Sequence, residues 1–279
     1  MKVITLCENR LEPSFGLKAS HGLSLYIEHE NHHLLYDVGQ NSVFIENAQI
    51  LGIDLSACEN IIISHGHLDH AGGLSYLKCN GIDYQKVIID KNAFEERIRL
   101  NKQKIMDIGI SNKLSYLKNI GQGIDRSFEI VKGIWCISNV KVSNRYCGLE
   151  KGLLIKDRQG NIKDDTFQDE LNLAIETSQG LVVISGCSHC GIINILEHAQ
   201  RVTGINEINT FIGGMHLTFA SKEDVLATIN ELKRFSIKRF IVGHCTGLDA
   251  ITLMKEQLSK DVEIINNYVG YEFNKEELI

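Results

Sequence analysis

Apolar and polar positions along the chain change period in a way that marks out its elements. "SLYIEHE" and "HHLLYDVG" are short β-rich runs separated by "NHH" and predict a hairpin. "NIIIS" is continuously apolar, the pattern of a strand buried on both faces. From about 91 to 130 the composition turns polar, and "KNAFEERIRLNKQKIMDIG" predicts a helix that stops at Gly109. Strand patterns return in "GIWCISNVKV" and "GLLIKD". The second half then repeats one theme. The strands "GLVVISG", "INTFIGG" and "KRFIVG" alternate with helices. The first helix has apolar residues at 192, 193, 195, 196 and 199. The second opens on a capping box, Ser221 and Asp224, and the last runs from about Asp249 to Lys260. These patterns predict one layered α/β domain over residues 1–279, and no linker divides it.

Composition narrows the function classes. The 279 residues suffice for a sizeable core, and a net charge of -6 with no dense Lys or Arg cluster argues against a nucleic-acid surface. No apolar stretch is long enough to span a bilayer, and charges at Lys2, Glu8, Arg10 and Glu12 leave no room for a signal-peptide core. The expectation is a cytoplasmic protein without membrane or nucleic-acid partners. Its eight cysteines then read as thiols or ligands rather than disulfides. Cys7, Cys58, Cys79, Cys136 and Cys147 are scattered and read as core or surface thiols. His29, His32, His33 and His198 read as surface residues. Composition and pattern leave oligomeric state open.

The chemistry concentrates at strand ends. Four strands run into histidine-bearing turns: Ser64 into His65, Gly186 into Cys187-Ser188-His189, Gly214 into Met215-His216, and Gly243 into His244. Ligands of open α/β sheets gather at the carboxyl ends of strands, so the four turns are expected to serve one site. In "HGHLDH", His65 and His67 are two apart in an extended segment and point to one side, with Asp69 and His70 following at a bend. Imidazoles and a carboxylate so close suit zinc, iron or manganese, singly or as a pair of ions.

"SHGHLDHAGGL" resembles the signature of the metallo-β-lactamase-fold superfamily, and the resemblance extends to "DVG" at 37–39 and "GHCTG" at 243–247. "HGLSLYIE", "GCSHCGIINIL" and "GGMHL" are similar to a subgroup named for a dihydropterin ribofuranosyl-aminobenzene phosphate synthase. The resemblance implies an αβ/βα sandwich, two packed sheets with outer helices, and a dinuclear centre of divalent transition-metal ions. It assigns His65 and His67 to one ion, and Asp69, His70 and His244 to the other.

The chain departs from that pattern in two places. No histidine lies between His70 and His189, so His189 becomes the third ligand of the first ion, or else a helix cap. The strand "LVVISG", which in hydrolases of this fold runs into a bridging aspartate, runs into Cys187. That residue occupies what reads as a turn, either as a ligand or as a buried free thiol. His216 reads as a ligand, a substrate contact, a partner to a ligand or a core residue. Asp169 and Glu170 could replace a missing ligand, although a solvated acidic turn is the simpler reading. His21 is similar to a pocket-edge position in the subgroup.

Two functions follow. The first is a hydrolase or transferase acting on a phosphoester-like or pterin-like small molecule. In it Asp69 binds metal and orients the nucleophile, while His216 or His21 stabilises developing charge or protonates the leaving group. The second is a non-hydrolytic iron protein for electron transfer on the same fold, suggested by thiols beside the histidines. No phosphate-loop or dinucleotide fingerprint is present.

Overall fold

The computed structural model describes residues 1–13, 16–101, 104–142, 150–156 and 159–274. The chain forms two compact units: Met1–Gly123, Gly152–Asp165 and Asn267–Ile279 in the first, Ile124–Lys151 and Thr166–Asn266 in the second. Cys147 lies outside the described residues.

The first unit is built on a six-stranded sheet in the order Glu272–Asn274, Lys2–Cys7, Ser24–His29, His32–Tyr36, Asn60–Ile62, Val87–Ile88. The predicted hairpin is there: Ser24–His29 pairs antiparallel with His32–Tyr36, and Leu25 lies opposite Tyr36. Its apolar face packs on the helix Val43–Ile50 and the segments after it, with Leu6, Leu35, Phe44, Ile61 and Ile63 in the core. Asn60–Ile62 runs parallel to both neighbours, as its double-sided burial requires.

The expected helix after 91 is not formed. Lys91–Phe94 is a short 3-10 turn, and Glu96–Asn101 and Lys104–Asp107 are antiparallel strands of a second sheet, completed by Leu153–Lys156 and Ile162–Asp164. In "ERIRLN" the charged and apolar residues alternate with a period of two, so Ile98 and Leu100 share a face. The polar composition of the segment hid that alternation. Arg97, on the opposite face, is 1% exposed. Its Nε donates to Asp165 Oδ2 at 2.8 Å and its Nη1 to the carbonyls of Asn92 and Ala93 at 3.0 and 3.1 Å. Gly109, read as a helix stop, instead bridges to His67 as a β partner.

The second unit holds a seven-stranded sheet in the order Glu263–Asn266, Arg239–Val242, Ile208–Gly213, Gly180–Ser185, Asn172–Thr177, Ile134–Ile137, Phe128–Val131. The first four of these run parallel. The helices Ile192–Thr203, Lys222–Leu232 and Leu248–Gln257 make the crossovers, their apolar stripes buried at Ile193, Leu196, Ile229 and Met254. The capping box forms as expected: Ser221 Oγ accepts from the Asp224 amide at 3.1 Å. Parallel neighbours end at the same edge, so the turns that carry Cys187, His216 and His244 lie side by side.

Each unit is assembled from segments far apart in sequence. We propose that residues 1–279 nonetheless behave as a single folding domain, because neither unit is a continuous stretch of chain. Limited proteolysis should then yield no stable fragment; a resistant fragment with a cooperative melt of its own would contradict this.

Candidate metal centre

In the first unit the histidine motif follows Asn60–Ile62 directly. His65 and His70 are fully buried and His67 is 7% exposed. The ring centroids of His65 and His67 are 4.6 Å apart, and those of His65 and His70 4.3 Å, so the three imidazoles cluster as their spacing requires. Asp69 Oδ2 lies 3.9 Å from His70 Nε2 and 3.5 Å from Nε2 of the exposed His21.

Asp37, of the "DVG" stretch, organises this cluster from behind. It is completely buried in a left-handed conformation, φ 59°. Its Oδ1 accepts from the Ser64 amide at 2.7 Å, and its Oδ2 from Ser64 Oγ at 2.7 Å. The same Oδ2 lies 2.6 Å from His70 Nδ1, and Ser64 Oγ in turn lies 2.8 Å from His65 Nδ1. A carboxylate that accepts the Nδ1 proton leaves His70 Nε2 as the lone-pair nitrogen, on the side of Asp69. Such backing of an imidazole is typical of a metal ligand.

In the second unit three turns carry the functional groups. Ser188, His216 and His244 all have positive φ, at 56°, 51° and 48°. Such conformations are costly for residues with side chains, and they concentrate where function holds them. Ser188 Oγ donates to the Gly214 carbonyl at 2.6 Å and ties the first turn to the second. Cys187 lies in the bend that follows Gly180–Ser185 and is 3% exposed, so the turn expected from the sequence is a buried one.

Donor atoms of Cys187, His189 and His216 lie within 4.8 Å of one another, as do those of Cys187, His244 and Cys245. His189 stacks on Phe167 at 3.8 Å with the rings nearly parallel, and its centroid is 4.2 Å from that of His216. His216 Nε2 lies 2.7 Å from Glu150 Oε2, while its buried Nδ1 has no hydrogen-bond partner among the described residues. One nitrogen fixed by a carboxylate and the other left over beside a thiol and an imidazole suit a metal ion. Burial opposes charge on His216, but Cys245 and Glu150 outweigh it and raise its pKa to about 10. Burial also resists ionisation of Cys245, yet Cys187 and the His216 and His244 imidazoles beside it hold its thiol well below the usual value.

Asp169 and Glu170 correct the expectation of a solvated acidic turn, since they are 0% and 1% exposed. Glu170 accepts the amides of His189 and Cys190, at 2.6 and 2.8 Å, and so fixes the turn that opens the helix Ile192–Thr203. Burial pushes its carboxyl up to about 7 despite those bonds. The C-x-x-C pair does not act as a unit, because Cys190 turns its thiol to the Phe167 carbonyl, 3.8 Å away. Of the histidines read as surface residues, His33 pairs with Tyr26 at 2.6 Å and His198 is half-buried near Ser127 and Arg201. A cavity of about 620 Å³ opens beside the second and third turns, between Leu217, Thr218, Val225, Leu248 and Leu253.

The family model of the metallo-beta-lactamase superfamily matches residues 17–126. A Methanocaldococcus jannaschii protein of uncharacterised function is 31% identical over 90% of this chain and 90% of its own length. The chain belongs to the metallo-beta-lactamase superfamily. A second protein of the same archaeon is 29% identical over 94% of this chain and 93% of its own. Its name is 7,8-dihydropterin-6-methyl-4-(beta-D-ribofuranosyl)-aminobenzene-5'-phosphate synthase. A crystal structure described as a metal-dependent hydrolase of the beta-lactamase superfamily superposes with a TM-score of 0.81, at 28% identity over 98% of both chains. The αβ/βα fold class expected from the sequence is therefore that of the family. Membership also implies divalent metal ions, for which the histidine and cysteine clusters of this chain supply suitable donors. The superfamily and the synthase-named relative together point to an enzyme.

Sequence reasoning missed Asp37, Ser64, Phe167 and Glu150 as supports of these imidazoles. "DVG" was visible, but only as part of a resemblance. Nothing in the neighbourhood of Glu150 distinguishes it from a surface charge.

Proposed function

We propose that this protein is a cytoplasmic metal-dependent hydrolase or transferase acting on a phosphoester-like or pterin-like small molecule. Two divalent ions of zinc, iron or manganese are held by His65, His67, Asp69, His70, His189 and His244, with Cys187 as a further candidate ligand. The observation that carries this reading is the cluster of buried imidazoles at His65, His67 and His70, with His70 backed by the Asp37 carboxylate. Ions at such a centre lower the pKa of water and polarise phosphoryl or carbonyl oxygens. Asp69 orients the nucleophile. His216 and His21 are the candidate groups for stabilising developing charge or protonating a leaving group, His216 from a buried position and His21 from an exposed one. Asp169 is a buried neighbour of the Glu170 cap rather than a first choice of ligand.

The cavity that begins one residue past His216, with Leu217, Val225 and Leu248 beside Thr218, Lys222 and Asp249, gives room for the part of a substrate that does not react. The relative's name, that of a synthase, describes a product that joins a dihydropterin to a ribofuranosyl-aminobenzene phosphate, which supports pterin-like and phosphoester-like small molecules as ligands. The net charge of -6 supports a small-molecule partner over nucleic acid. Among the described residues no helix is long and apolar enough to cross a membrane.

Replacing His65 and His67 together by Ala tests the assignment. The double variant should lose at least one equivalent of bound metal, read by elemental analysis, and with it turnover of phosphoester and pterin substrates. Unchanged stoichiometry would remove these residues from the centre. The thiols at Cys187 and Cys245 favour a second reading, a non-hydrolytic iron protein for electron transfer. Colour distinguishes the two. An iron–thiolate protein absorbs visible light and bleaches on reduction, whereas a dizinc enzyme is colourless.

A further inference from the structure

The ligands assigned so far leave Cys245 without a task. It follows His244 at the end of Arg239–Val242, two strands away from Gly180–Ser185, whose turn carries Cys187. The strand between them ends in Gly213, and the absence of a side chain at the next residue, Gly214, opens the way across. A Cβ on Gly214 would stand 2.5 Å from Cys245 Sγ and 2.6 Å from the Gly186 carbonyl oxygen. Over this gap the Cys245 sulfur approaches the Cys187 turn, 3.8 Å from its carbonyl oxygen. The two sulfurs and a His244 ring nitrogen all fall within 4.8 Å of one another. The His216 amide points at Cys245 Sγ from 3.3 Å, so this sulfur is placed as an acceptor of positive charge. His244 holds a left-handed backbone, φ 48°, at the residue before it.

We propose that Cys245 is a metal ligand, joined by Cys187 and His244 in a site with two sulfurs and one nitrogen that selects a borderline-soft divalent ion over manganese or magnesium. The inference rests on the metal-dependent reading above, since it adds a ligand to an ion which that reading requires. Binding breaks the S–H bond of each thiol and forms a sulfur–metal bond. One proton per cysteine goes to solvent, and no electron is transferred. Two thiolates and an imidazole are donors that suit zinc, iron or cobalt better than manganese or magnesium.

Cobalt(II) reports sulfur ligands directly. Reduced, metal-stripped full-length protein should develop a near-ultraviolet thiolate-to-cobalt charge-transfer band in step with cobalt bound, the latter measured by elemental analysis. Zinc should displace the cobalt and manganese at the same concentration should not. Cys245→Ser should lose about half of the band, as one of two sulfur ligands goes, while replacement of the exposed Cys79 by Ser should leave it intact. Cobalt bound without the band, or an unchanged band in Cys245→Ser, would overturn the proposal and leave the metal-dependent reading standing. A protein that binds no cobalt would overturn both. Should Cys245→Ser fail to fold, X-ray absorption of the zinc-loaded parent decides. Averaged over two zinc ions per chain, about one sulfur neighbour per zinc supports the site, and about half of one or none contradicts it.

Discussion

Asp37→Ala is expected to destabilise the protein by about 3–5 kcal/mol and to weaken metal binding by about 10–100-fold. The carboxylate is fully buried and accepts the Ser64 amide, the Ser64 hydroxyl and His70 Nδ1. Removing it takes the acceptor from the buried Ser64 amide and from His70 Nδ1 without giving them water, while Ser64 Oγ keeps His65 Nδ1 at 2.8 Å. It also frees His70 to rotate or to change tautomer, which moves the lone pair away from Asp69. A further cost comes from the backbone, because φ is 59° at this position and Ala tolerates that region less well than Asp or Asn. Asp37→Asn separates the two effects. It suits the backbone but replaces one acceptor with a donor, so it should recover part of the stability and little of the metal affinity. Urea denaturation and metal titration read the two quantities. A stable Asp37→Ala protein that binds metal as the parent does would show that His70 is not oriented by this carboxylate.

Gly66→Ala is expected to be damaging as well, through sterics rather than charge. Gly66 separates His65 from His67, and a Cβ there would lie 2.0 Å from the Ala93 carbonyl oxygen and 2.6 Å from Arg97 Nη1. Neither neighbour can yield easily. The Ala93 carbonyl accepts from Arg97, whose guanidinium is itself fixed on Asp165 and buried. The strain must therefore move the histidine segment, at a cost of about 1–3 kcal/mol or more for overpacking. Both flanking imidazoles would shift, so metal should be lost even from the fraction that folds. Retention of the parental melting temperature and metal content together would refute this account of the glycine.

These two residues also mark how far the sequence could be read. The strands, the hairpin at 24–36 and the capping box at Ser221 depend on local periodicity and local hydrogen bonds, and were legible for that reason. The candidate ligands were legible because glycine and histidine coincide where apolar runs stop. Glu96–Asn101 was misread because its arginines and glutamate suggested a solvated helix, whereas Arg97 is paired in the interior with Asp165, 68 residues away. Glu170 looked solvated because its partners, the amides of residues 189 and 190, are brought to it only by the sheet. The contribution of Cys245 depends on the missing side chain at Gly214, which sequence spacing does not reveal.

The most direct test of the central claim is the metal content of protein purified without added metal, measured before and after exhaustive chelation together with turnover of a phosphoester or pterin substrate. The account predicts two transition-metal ions per chain in the untreated protein, loss of turnover as they are removed, and recovery when zinc or iron is restored. Less than one ion per chain, or turnover that survives complete removal, would contradict it.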